Sequence, residues 1–142
     1  MGHSLVGRLK AFYFLGLCLL GCATPTEPTL QASFSAIEVN GQQVPGLLYV
    51  RDQDWKVTLL EETLSFEANR RYARTLRTRY DTRDSVYVIE ISDFGTYRIS
   101  DSAIALTSER GANFHTLLEF QRPLTIRHYY ELFSATVVLR RN

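Results

Sequence analysis

The chain has 142 residues, sixteen of them Lys or Arg and fifteen Asp or Glu, for a formal net charge of +1. A balance so near neutral offers no global attraction to nucleic acid, and the length suits one domain with a modest core. The two cysteines both precede residue 23, so the rest of the chain has no thiol for a disulfide, a thiolate metal site or a nucleophile.

Residues 1–10 carry Arg8 and Lys10 and no acid, and residues 11–20 (AFYFLGLCLL) carry no charge. A basic segment followed by an apolar one is the pattern of an export leader. Ten residues of helix rise only about 15 Å, half of the roughly 30 Å hydrocarbon core, which is too short for a permanent span. Gly21 is small enough to permit a cut before Cys22, whereas bulky Leu17 precedes Cys18.

Leu19-Leu20-Gly21-Cys22 resembles the lipobox of bacterial lipoproteins. The resemblance implies a leader over residues 1–21 and a Cys22 thiol that receives a diacylglycerol and becomes the new N-terminus. Two or three acyl chains, at about 0.8 kcal/mol per buried methylene, would anchor the product essentially permanently. Ala23 in place of an aspartate implies, by the same resemblance, the outer membrane rather than the inner. The expectation is an exported protein held to the bacterial cell envelope, with membrane lipid as its partner through Cys22. A buried or free cysteine behind an ordinary signal peptide is the alternative.

Residues 22–29 (CATPTEPT) contain two prolines and no hydrophobic periodicity, which describes a flexible tether. From residue 30 to 142 β-branched and aromatic residues alternate with polar ones. This predicts strands over 30–39, 55–60, 64–66, 72–80, 86–91, 95–99, 104–107, 114–120, 124–130 and 132–139. No segment carries a sustained helical stripe. Short strands at this spacing point to an antiparallel sandwich or barrel.

Along the chain, Asn40-Gly41 is the strongest turn, because both residues accept positive φ. A second turn is predicted over 67–71, and pairing Phe66 with Tyr72 sets Glu67 opposite Arg71 and Glu61 opposite Arg77. The arginines at 70, 71, 74, 77, 79 and 83, interleaved with Tyr72 and Tyr80, have the composition of a single-strand nucleic-acid surface. An exported chain rarely meets that partner, and the run reads instead as a solvated outer face. Arg74 is the exception, for it shares the inner face with Tyr72 and Leu76. Such a guanidinium needs a partner, and Glu62, diagonally across, is the candidate; an anionic head group at the barrel mouth is the functional alternative.

Asp93-Phe94-Gly95 echoes a kinase phrase, but the glycine-rich loop, the partner lysine and the catalytic loop are missing. A third turn over 100–103 places Ile99 near Ile104 and Tyr97 near Leu106. Around Gln121-Arg122-Pro123, a three-residue loop matches Phe120 with Leu124, Leu118 with Ile126 and Phe114 with Tyr130. That register sends His115 and His128 to opposite faces, so a metal pair is not expected, and His128 reads as a hydrogen-bonded core histidine.

The phrases IEVNGQQVPG (37–46), TLSFEANRRY (63–72) and FGTYRISDSAIALT (94–107) resemble the strand-turn-strand segments of uncharacterised bacterial lipoproteins with a small lipocalin-like barrel. The resemblance implies an all-β, antiparallel up-and-down barrel of about eight to ten short strands over residues 30–142. It implies a fold and not an activity. The expected function is the binding of a small apolar or anionic amphipathic ligand inside, with Arg74, Tyr72, Tyr97, Tyr130 and His128 as candidate contacts. The alternative is a self-filled barrel that serves as a structural or protein-interaction module of the envelope, its partner unspecified. No catalytic motif is present, and neither an enzyme nor a cofactor is expected.

Overall fold

The computed structural model describes residues 28–111, 116–122 and 125–142, with the side chains of 121 and 122 excepted. The predicted leader, Cys22 and most of the predicted tether lie outside these residues, as do Phe114, His115 and Leu124. The strands are β1 (Ala32–Val39), β2 (Gln42–Gln43), β3 (Gly46–Asp52), β4 (Trp55–Phe66) and β5 (Arg71–Asp81). They continue with β6 (Val86–Ile99), β7 (Ala103–Ser108), β8 (Thr116–Arg122), β9 (Thr125–Tyr130) and β10 (Ala135–Arg141). A 3₁₀ turn at Glu131–Phe133 separates the last two.

All neighbours are antiparallel, and β1 closes the sheet by pairing with β10 on one side and β4 on the other. Eight strands, β1 and β4 to β10, therefore form an up-and-down barrel, as the resemblance implied. The two extra strands lie at the flank. β2 returns along β1 after Asn40 (φ 48°) and Gly41 (φ 79°), the double positive φ of a tight hairpin. β3 pairs with the first half of β4, where β1 has already departed.

The sequence reading splits two strands that the fold keeps whole. In β4 the buried side chains are Val57 and Leu59, then Glu62, Leu64 and Phe66, a change of phase by one residue. A bulge between Leu59 and Glu61 absorbs that residue, so both apolar sets stay inside one strand. In β6 the polar Ser92-Asp93 looks like a break, yet the ladder to β5 runs unbroken from Val86 to Thr96. The reading also misses β3, an edge strand just after Pro45. Residues 132–139, read as one strand, divide into the 3₁₀ turn, Ser134 at φ 49° and β10.

The predicted pairs Phe66 with Tyr72, Glu61 with Arg77, Ile99 with Ile104 and Tyr97 with Leu106 are all present. The β8–β9 hairpin is displaced by two residues from the expected register. Leu118 faces His128 and Phe120 faces Ile126, because β8 runs on to Arg122 and a bulge takes up the odd residue. A two-residue shift preserves the faces, so Leu118, Ile126 and His128 still point inward.

One end of the barrel is solid. Phe34 packs edge-on against Phe66 at 5.9 Å between ring centroids, and Phe66 against Tyr97 at 5.0 Å. The Tyr97 hydroxyl accepts from Leu30 N at 2.7 Å and lies 2.7 and 2.8 Å from the Leu30 and Glu67 carbonyl oxygens. It thus pins the incoming chain to the turn between β4 and β5. Beside it, Gly95 lets β6 and β7 touch: a Cβ there would stand 2.0 Å from Thr107 O. Gly95→Ala is expected to cost about 1–3 kcal/mol or more, by analogy with other overpacked sites, and to lower the urea unfolding midpoint accordingly.

Candidate functional site

Halfway down the barrel the interior turns polar. Glu62 on β4 and Arg74 on β5 face inward, one step diagonal in the ladder where Leu64 opposes Arg74. Arg74 Nε donates to Glu62 Oε1 at 2.9 Å, and an Nη approaches the same oxygen at 2.9 Å. The pairing expected from the sequence is therefore made. That Nη also meets His128 Nδ1 at 3.1 Å and donates to the Tyr130 hydroxyl, with the guanidinium carbon 5.1 Å from the Tyr130 ring centre.

The electrostatics follow from burial and pairing. Burial alone would raise the Glu62 pKa, but the neighbouring Arg74 charge outweighs it and lowers it to about 2. Burial would likewise weaken the charge on Arg74, yet Glu62 raises its pKa above the ordinary value. His128 is shifted down, first by burial and also by the neighbouring guanidinium. A guanidinium can only donate, so Nδ1 must be the acceptor and the ring is the neutral Nε2–H tautomer. Burial pushes the Tyr130 hydroxyl up as well.

A second polar group lies one strand further round. Asp93 on β6, cross-strand partner of Arg74, accepts from the Tyr72 hydroxyl at 2.7 Å and from Ser108 Oγ at 2.5 Å. Burial, then Asp93, pushes the Tyr72 hydroxyl up. Two buried atoms, Glu62 Oε2 and Thr78 Oγ1, have no hydrogen-bond partner among the described residues.

Below this layer, among the described residues, a pocket open to solvent reaches into the barrel. A cavity of about 840 Å³ is bounded by Arg74, Leu76, Thr78 and Tyr80 of β5, Ile91 and Asp93 of β6, residues of β8 and β9, and Phe133 of the 3₁₀ turn. An arc of rings extends from Tyr80, Phe133 and Tyr130 of the lining. Tyr87 stacks on Tyr80 at 5.2 Å, and Trp55 joins Tyr80 at 6.2 Å and Tyr49 at 5.6 Å. Phe133 then links Tyr49 at 6.1 Å to Tyr130 at 6.4 Å.

Of the five interior candidates named from sequence, Arg74, His128 and Tyr130 come together on the cavity wall. Tyr72 lies one layer towards the solid end with its hydroxyl on Asp93, and Tyr97 is at that end with its hydroxyl on the main chain. The reading passed over Asp93, Thr78 and the rim aromatics. The signal for Asp93 was its phase, since it shares parity with buried Gly95 and Tyr97.

The Arg74–Glu62 pair gives a measurable consequence. Arg74→Leu or Glu62→Leu alone strands a buried charge and is expected to cost about 3–5 kcal/mol in urea unfolding. The double variant removes both charges and should lose much less, giving a coupling above about 2 kcal/mol. Compared with known proteins, the chain matches no family model and no curated sequence.

Proposed function

We propose that the chain is an exported lipoprotein, anchored through acylated Cys22, whose barrel carries a small apolar or amphipathic molecule. The cavity is the observation that carries this reading. Its volume of about 840 Å³ lies within the roughly 300–1,000 Å³ typical of small-molecule sites, and its lining mixes apolar and aromatic side chains with charged and polar ones. A barrel that served only as a packed module would fill this end as it fills the other.

The direction of the chain supports the same reading. Leu30 is bound at the solid end, through Tyr97, while the cavity opens towards the end where β5 turns into β6. Eight residues of tether span at most about 26–29 Å. An anchor on Cys22 would therefore hold the solid end towards the bilayer and leave the cavity facing the aqueous side, where a polar-headed molecule exchanges.

One observation favours a second reading, an envelope interaction module. Among the described residues β6 pairs with β7 only from Gly95 to Ile99, and its earlier part bares Val86, 61% exposed, and Val88, 50% exposed. An unpaired apolar edge of this kind accepts a strand from another protein.

Cys22→Ser is expected to move the protein from the membrane fraction to the soluble one; retention in membranes would overturn the anchor. Native mass spectrometry of the full chain should show a co-purifying small molecule, and Leu76→Trp, which fills the cavity, should abolish it. The absence of any bound molecule from the parent protein would leave the interaction reading in its place.

A further inference from the structure

The charges around the cavity do not cancel, and their sign narrows what can occupy it. Arg74 is matched by Glu62, with both Nε and an Nη on the same oxygen. Arg127 is matched by Glu119 at 3.3 Å. Two carboxylates of the lining, Asp93 and Glu131, have no ion-pair partner among the described residues. Asp93 is only 7% exposed, and its hydrogen bonds come from neutral hydroxyls.

Resting on the carrier reading above, we infer that the molecule held in this cavity is a cationic amphipath, an ammonium head on an apolar body. An anionic head would add a further negative charge to a wall already in excess, and the guanidinium that might receive it is engaged by Glu62. A cation instead neutralises a poorly solvated carboxylate, where attraction is stronger than in water. The lining adds the aromatic side chains of Tyr80 and Phe133, and aromatic rings attract positive charge.

Trp55 is the only tryptophan of the chain and its ring lies 6.2 Å from that of Tyr80, a residue of the lining, so its emission reports on the cavity. The full chain in lipid nanodiscs, with empty nanodiscs as blank, is titrated with octylammonium, octanoate and 1-octanol below their aggregation limits. Octylammonium is expected to bind at least tenfold more tightly than octanoate, with 1-octanol between them. Asp93→Asn should weaken octylammonium about tenfold and leave 1-octanol within about twofold. Glu131→Gln alters only an exposed rim residue and should weaken octylammonium two- to threefold, which keeps the test open if Asp93→Asn fails to fold. Tighter binding of octanoate, or octylammonium binding unmoved by the carboxylate variants, overturns the cationic assignment while sparing the carrier. No saturable Trp55 response to any of the three probes overturns both.

Discussion

The ion pair between Arg74 and Glu62 sets the terms for the rest of this barrel. A guanidinium turned into an apolar lumen is tolerated only with a carboxylate beside it and further groups to take its remaining hydrogens. The fold meets that demand with a bulge. Without the extra residue between Leu59 and Glu61, continuing the alternation would turn Glu62, Leu64 and Phe66 outward. The same irregularity that keeps Leu64 and Phe66 in the core thus brings Glu62 to Arg74. Tyr130 and His128, from the opposite wall, complete the arrangement.

This polar layer divides the interior into unlike halves. Towards the chain's point of arrival, aromatic rings interlock and Tyr97 binds the main chain, so side chains fill the lumen. In the other direction β6 continues beyond its partnership with β7, and the large rings lean on one another around the rim. Shorter side chains such as Leu76, Thr78 and Ile91 line the wall between, which leaves space. Eight strands enclose an interior just wide enough to be filled or to hold one small molecule, and this barrel does the first at one end and offers the second at the other.

Much of this was legible from residues alone. Alternation put Arg74 and His128 inside, and the turn at 67–71 fixed the register that made Glu62 the partner of Arg74. What escaped were the places where alternation breaks or carries no signal. Asp93 looked like a loop residue because a carboxylate is a poor strand former, yet two hydroxyls from separate strands satisfy it. The β8–β9 register differed by two residues because either pairing buries the same faces, and only bulge geometry chooses between them.

By itself, then, the sequence determined an all-β chain with an inward charge and a nearby acid to pair it, since period-two burial is a local property of each strand. It also carried the basic and then apolar N-terminal run and the cysteine that motivate the proposed anchor. Tertiary structure alone decided that the sheet closes on itself, that one end is packed while the other holds an open cavity, and that Asp93 joins Arg74 and His128 there. Those outcomes depend on which strands meet around the ring and how far each ladder extends. Such facts arise between segments distant in the chain, where no local pattern records them.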